Sequence, residues 1–488
     1  MDTILWIVLG LLAVFLAVTA IRAAFFVPKK NNHAPLADES VDRERAARHL
    51  TGAIQIPTIS YPEKDKVDWA AFERFHDYLR ETYPLIHKHL TREVVAEAAL
   101  LYCWKGKNAA LKPIALLSHQ DVVPISGGTE DDWTHPPFSG YNDGEYIWGR
   151  GAIDMKNHLI CVMEAVETLL AEGFIPERDV YLCFGHDEEV VGAEDSGAYR
   201  LRKLLESRGI TELESTLDEG GAMLPINTKV LGGVLAGIGI SEKGYADFEI
   251  TVLHKGGHSA QPPDHTALGE LADVIKDIEK HQFKAKMLPF FSDILDAASR
   301  KLPYALRLIG CNHKLLKPLL TGVLTKIPPA ASMLRTTTAC TMAKGSPACN
   351  VLPQKASLVV NFRLMPGTTV ADVEAHIRKV VRNKKIEIKI LKQKEASPFS
   401  SINSTSADAI KQIVLHEHPD AIVAPYLVMG GTDSYFYEPI CKHVYRFSPF
   451  LVDLSLLLCA HATNERIPIA TLEEAVAFFK RYIRLAGK

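Results

Sequence analysis

Hydrophobic and polar positions divide this chain into stretches of different period. Ile4 to Ile21 holds no charged side chain and is just long enough to cross a bilayer as a helix. Arg22, Lys29 and Lys30 follow it. The pattern predicts an N-terminal anchor over 4–21 and a polar linker over 28–42. A cleaved signal peptide is the alternative, but such peptides open with a basic region, and only Met1-Asp2-Thr3 precedes this run. From about 45 to 238, short apolar runs alternate with stretches of helical period. That is the pattern of βα units around a mainly parallel sheet sandwiched by helices. Leu116–Val123 and Val180–Phe184 read as buried strands, and Met155–Leu170 reads as a helix. Ser241-Glu242-Lys243-Gly244 marks the crossing into a second unit. Strands at 245–253, 334–343 and 355–364, with helical runs at 266–281 and 370–383, predict a small α+β sandwich within 241–394. Residues 395–488 return to the first unit, 45–240, so the second is inserted into it. The fold class is therefore α/β with an inserted α+β lid and an N-terminal transmembrane helix.

Length and composition narrow the picture. A chain of 488 residues is too long for one simple core. The net charge is −3, and no basic stripe marks a nucleic-acid surface. Eight cysteines are scattered without a Cys-x-x-Cys pair. Buried thiols are expected, rather than a disulfide framework or a structural zinc site.

Five clusters carry chemistry: His119 with Asp121, Asp154, Glu188-Glu189, Asp218-Glu219, and His461. The i, i+2 spacing puts His119 and Asp121 on one face of a strand. A carboxylate beside a histidine fixes which ring nitrogen faces a metal. Asp154 follows a glycine-bearing turn at the entrance of the helix, where an N-cap is the plain alternative. Glu188-Glu189 stands just past a strand end, and two adjacent carboxylates repel unless a cation or proton offsets them. Acidic strand ends converging on one edge of an α/β sheet, with histidine and without cysteine, suit a catalytic divalent metal. His258, in Gly256-Gly257-His258-Ser259, reads either as a turn histidine or as an oxyanion donor.

These stretches, with His119-Gln120-Asp121-Val122-Val123-Pro124, Gly149-Arg150-Gly151-Ala152-Ile153-Asp154, His186-Asp187-Glu188-Glu189, Asn361-Phe362-Arg363 and Gly430-Gly431-Thr432-Asp433-Ser434, resemble the dinuclear zinc hydrolases that include aminoacylase, carboxypeptidase S and glutamate carboxypeptidase. The nearest branch is carboxypeptidase S and the N-fatty-acyl-amino-acid synthase/hydrolases. The resemblance runs from about 45 to 486. It implies two zinc ions, with cobalt or manganese as alternatives. His119 would bind one and His461 the other. Asp154 would bridge them. Glu189 would complete one sphere, and Glu219 or Asp218 the other. Asp121 would orient His119, and Glu188 would be the general base. His258, Asn350 and Arg363 would approach substrate from the lid, His258 often in the partner subunit's site, so a homodimer through the lid is expected. Secreted and vacuolar relatives set the catalytic domain outside the cytoplasm, whereas the basic flank after Ile21 argues for the cytoplasmic side.

Two departures qualify the resemblance. Relatives that bind a substrate carboxylate often carry Arg where this chain has Tyr435, and a phenol makes no bidentate ion pair. The lid also holds an apolar segment, about 283–329. In it Phe283, Met287, Leu288, Phe290, Phe291, Ile294, Leu295, Leu302, Tyr304, Leu306, Leu308, Ile309, Leu315, Leu316, Leu319 and Leu320 recur at helical spacing. They pack the lid's own core or a dimer interface, or they line a groove for a long acyl chain. The expected function is zinc-dependent hydrolysis of N-acyl amino acids, fatty-acyl ones included, in a reaction open to reversal. A carboxypeptidase or dipeptidase is the alternative within enzymes. A non-catalytic binding protein is disfavoured, because the ligands and Glu188 are intact.

Overall fold

The alternation of the chain is realised mainly as two large sheets, beside two small ones of two and three strands among the described residues. The structure, a computed structural model, describes residues 2–28, 32–190, 195–381 and 385–488. Lys29 and Lys30 of the basic flank, Val191-Gly192 after the acidic pair, and the predicted helix end at 382–383 lie outside the described residues. In the larger sheet the strands run in the order Thr91–Val95, Ala99–Trp104, Val180–Gly185, Ile114–His119, Ser215–Asp218, Val444–Arg446, Gly232–Glu242, Ile422–Val428. Ala222–Asn227 pairs with Gly232–Glu242 off that path. The sheet is mixed. Its middle, from Val180–Gly185 to Val444–Arg446, is parallel, and the Thr91–Val95 edge is antiparallel.

Every residue of the two central strands is buried. That explains their unbroken apolar runs, since a central parallel strand meets helices on both faces. Leu116 and Leu182 pack under the helices Arg43–Ile54, Lys156–Ala171 and Ala470–Ala486. Ala115, Leu117 and Cys183 face the other way, towards Gly197–Ser207. Cys103, Cys161, Cys183, Cys311 and Cys441 are buried free thiols, as expected, whereas Cys340 and Cys459 are half-buried and Cys349 is exposed.

The second sheet is antiparallel, in the order Thr337–Lys344, Lys355–Leu364, Gly244–Leu253, Ile386–Lys394. Ala246, Phe248, Ile250 and Val252 turn inward at every second position and meet the helices Ala267–Lys280 and Val370–Val380 in a separate core. The fourth strand was not among those predicted. Its signal is the alternation Ile386-Glu387-Ile388-Lys389-Ile390.

The apolar segment forms the helices Pro289–Ser299, Tyr304–Cys311, Lys317–Leu324 and Pro328–Ser332. Its packing is the main surprise of the fold. Phe283 does lean on the lid core, but Met287, Phe290 and Phe291 join the core of the large sheet. Pro289–Ser299 lies against the edge strand Ile422–Val428, covering an edge that would otherwise present unpaired backbone. In sequence this segment belongs to the lid, but in space it belongs to the first unit. The N-terminal helix is Asp2–Phe25, and its span Thr3–Phe25 is apolar and largely exposed, with Ala23 buried near its end.

Candidate metal centre

Three neighbouring parallel strands end at one place. Ile114–His119 delivers His119, the turn after Val180–Gly185 delivers Glu188 and Glu189, and Ser215–Asp218 leads into Glu219. Asp154 enters from the turn before Lys156–Ala171. His461 enters from the loop between Leu454–Leu457 and Arg466–Pro468. The convergence expected from the acidic strand ends is present.

Asp154 occupies the middle. Its Oδ1 is 3.2 Å from His119 Nε2, and its Oδ2 is 3.0 Å from His461 Nε2. Glu219 Oε1 is 3.4 Å from His119 Nε2, and Glu189 Oε2 is 3.0 Å from His461 Nε2. Asp154 does not cap the helix that follows, because Met155 holds the cap position and no side chain bonds there. The donors of His119, Glu188 and Glu219, and those of His119, Asp154 and Glu189, each fall within 4.8 Å of one another. Imidazole nitrogen and carboxylate oxygen are the donors that borderline divalent ions take. One end of the site is sealed and the other open: the His119 side chain is 1% exposed and that of His461 53%.

The electrostatics fit a site made for cations. Burial, which the His119 charge opposes and Glu219 and Glu189 reinforce, holds the Glu188 carboxyl well above its ordinary value. Burial and the nearby Asp154 charge push Glu219 up to about 8. Burial alone would lower the pKa of His119, but hydrogen bonds to Asp121, Asp154 and Glu219 outweigh it and raise the pKa well above its ordinary value. Hydrogen bonds to Asp154 and Glu189 push His461 up to about 10. So many carboxylates in one buried place call for positive charge.

The supporting residues are equally specific. Asp121 Oδ1 is 3.3 Å from His119 Nδ1, leaving Nε2 to face the cluster. Asp121 also accepts from Ser60 Oγ at 2.6 Å and from the N–H groups of Glu188 and Glu189 at 3.3 and 3.2 Å. One carboxylate thus positions both His119 and the acidic pair. Among the described residues, Asp218 makes no hydrogen bond or ion pair with either histidine. It accepts from its neighbour Glu219 N at 2.9 Å and from Ser434 N at 2.8 Å, so it braces the Thr432-Asp433-Ser434 segment.

Sequence reasoning missed Glu465. This fully buried carboxylate pairs with Arg150 Nη1 at 2.7 Å and accepts from the N–H groups of Gly151, Ile153 and Asp154 at 3.0, 2.9 and 3.2 Å. Arg150 donates in turn to the His461 carbonyl at 3.3 Å. The pair fastens the turn carrying Asp154 to the loop carrying His461. No local spacing announces a partnership across 315 positions.

The four substrate candidates make contacts of their own. His258 and Asn350 are exposed and close in space, and Ser259 N donates to Asn350 O at 3.2 Å. The Arg363 guanidinium lies 4.7 Å over the Tyr245 ring. Among the described residues, no hydrogen bond or ion pair joins these three to the metal cluster. Tyr435 has the Lys394 ammonium 4.1 Å over its ring, and Lys394 pairs with Glu242 at 3.1 Å. A cation therefore stands beside the phenol that replaces the relatives' Arg.

A cavity of about 400 Å³ opens beside the cluster. Asp154 and Glu219 of the cluster are among its lining residues, with Asn157 and Ser448. Leu224, Leu235, Phe450, Val452, Leu457 and Ile467 make most of its apolar wall, joined by Ile294 and Met333 from either end of the apolar segment.

Comparison with known proteins agrees with this geometry. A profile of the peptidase family M20/M25/M40 matches residues 115–485. Carboxypeptidase S of Saccharomyces cerevisiae is 33% identical over 490 residues, covering 90% of this chain and 84% of that protein. The N-fatty-acyl-amino acid synthase/hydrolase PM20D1 of Homo sapiens is 31% identical over 494 residues, covering 98% and 96%. Among solved structures, the M20 family metallo-carboxypeptidase Sso-CP2 from Sulfolobus solfataricus superposes with a TM-score of 0.63 at 19% identity, over 91% of this chain and 99% of that one.

Proposed function

The chain belongs to the peptidase family M20/M25/M40 and is a hydrolytic enzyme; from that premise we propose that it is a membrane-anchored dinuclear zinc amidohydrolase of N-acyl amino acids with long acyl chains. One observation carries the choice of substrate: a mostly apolar cavity shares Asp154 and Glu219 with the cluster. An acyl tail in that cavity brings its amide carbonyl to the cluster. The relatives include an N-fatty-acyl-amino acid synthase/hydrolase and a carboxypeptidase, which supports an amino-acid derivative as substrate.

His119, Asp154 and Glu219 would hold one ion, and His461, Asp154 and Glu189 the other. Two bound cations would acidify water and polarise the carbonyl. The chain supplies the rest. Glu188 lies close enough to the cluster, 3.9 Å from His119 Nε2, to take a proton from the attacking water and return it to the leaving nitrogen. Tyr435 and Lys394 would hold the substrate carboxylate. His258 and Asn350 are exposed on the lid and would complete the oxyanion site when the lid closes or from the partner chain of a homodimer.

Chain length is the test. Each buried methylene contributes about 0.8 kcal/mol, so four more should raise kcat/KM by more than about a hundredfold until the cavity fills. We expect oleoyl and octanoyl conjugates of one amino acid to be far better substrates than the acetyl conjugate. A flat profile, or a preference for dipeptides, would replace this reading with that of a short-chain aminoacylase or a carboxypeptidase.

A further inference from the structure

We propose that the helices between Pro303 and Ala331 form a second membrane-contacting surface, which rests on the bilayer holding the N-terminal helix and lets acyl substrates reach the cavity from that bilayer. The inference builds on the anchor and acyl-site readings above.

The first observation is a junction. The Tyr304 hydroxyl donates to the Ala20 carbonyl at 3.1 Å, and the Asn312 side-chain amide donates to the Thr19 carbonyl at 3.3 Å. Arg300 donates to the Val27 carbonyl at 3.0 Å and lies 4.0 Å over the Phe26 ring. The last turn of the N-terminal helix is thus seated on Tyr304–Cys311. Where that helix leaves the lipid, this segment stands at the lipid–water boundary, the depth that tyrosine and arginine side chains favour.

The second is an apolar stripe. Leu315, Leu319, Val323 and Ile327 recur every fourth residue and are all exposed, Leu319 to 65%. Leu319 and Val323 share one face of the helix Lys317–Leu324, with Leu315 in the turn before it and Ile327 in the turn after it. Leu306 and Ile309 extend the exposed apolar surface towards the junction. Water alone gives no reason to gather these residues, and such patches mark protein or membrane contacts.

Charge selects between the two. No Asp or Glu occurs between Asp296 and Asp372, whereas Arg307, Lys314, Lys317 and Lys326 are interleaved with the stripe. Apolar residues mixed with bases and free of acids match an anionic lipid surface. A second copy of the same face would set base against base.

The third is continuity with the site. Ile294 and Met333, which line the acyl cavity, lie just before and just after this segment. The segment that carries the stripe is thus tied at both of its ends to the cavity wall.

The experiment uses the full chain in nanodiscs with anionic lipid, with and without brominated acyl chains. Trp6, in the N-terminal helix, reports on the anchor. Leu319→Trp reports on the stripe. Val94→Trp is the control, on the exposed Thr91–Val95 strand at the opposite edge of the large sheet. We expect bromine to quench most of the emission added by Leu319→Trp and none of that added by Val94→Trp. Quenching of Trp6 without quenching at position 319 would overturn the surface and leave the anchor standing. A chain that does not stay with the disc would overturn both. Shielding that appears only with two chains per disc would assign the stripe to a second copy and overturn the proposal. The triple variant Leu315→Ser, Leu319→Ser, Val323→Ser should lose turnover of a vesicle-dissolved oleoyl conjugate while keeping that of a water-soluble octanoyl conjugate. Equal loss on both would refute entry from the bilayer.

Discussion

At Glu188 a single-atom change separates proton transfer from metal binding. Glu188→Gln keeps the shape of the side chain but cannot accept a proton from water. Bound metal should stay at the wild-type level while kcat falls at least about a hundredfold. Loss of metal, or near-normal turnover, would exchange the roles of base and ligand. Glu465 makes the complementary case. Glu465→Ala would leave the buried Arg150 guanidinium without its carboxylate and free three backbone N–H groups around Asp154. Breaking such a pair typically costs about 3–5 kcal/mol. The variant should unfold at lower urea and bind metal more weakly, although Glu465 touches neither histidine side chain. Unchanged metal content would show that the Asp154 turn holds its shape without Glu465.

Among the elements, the helix Trp69–Thr82 carries a consequence for pH. It sets His76 Nε2 between two acceptors, Ala98 O at 3.1 Å and Gln120 Oε1 at 2.8 Å. Burial, aided by Arg92, lowers the His76 pKa to about 4. The folded chain therefore keeps this ring neutral where the unfolded chain would protonate it. The contribution is full above the ordinary histidine pKa and is lost as pH falls from about 6.5 to about 4, by up to about 3 kcal/mol. Urea midpoints measured from pH 7 to pH 4 should fall, and His76→Gln should flatten that slope. A parallel fall in both proteins would assign the acid sensitivity to other groups. Gln120, in turn, donates to Phe184 O and Gly185 O, so this histidine helps hold together the two strands that deliver His119 and the acidic pair.

At the scale of the whole molecule, the two stretches that carry His119 and His461 lie on either side, in sequence, of the strands of the second sheet. The centre exists only when both parts of the first unit are assembled. Metal analysis of active protein should find about two zinc-class ions per chain, with activity lost to a chelator and restored by zinc. His119→Ala and His461→Ala should each deplete metal. Active protein without transition metal would end the dinuclear reading.

Much of this was legible beforehand because the physics is local. A central parallel strand must be apolar throughout, so Ile114–His119 and Val180–Gly185 announced themselves, and with them the edge on which His119, Glu188 and Glu189 meet. Alternation gave away three strands of the lid, and helical spacing gave away the helices of the apolar segment. What remained hidden depends on partners distant in the chain. Adjacent Asp218 and Glu219 are alike in sequence, and only their surroundings set one against His119 and the other against Ser434. Glu465 acquires its role from Arg150, and Lys394 comes to lie over Tyr435, through contacts that no periodicity encodes. The apolar segment shows the division most clearly. Its sequence determines that it forms amphipathic helices. Only the tertiary structure decides which surface they cover, because an apolar face is non-directional and goes wherever an uncovered edge strand, a cavity wall or the end of an apolar helix can receive it.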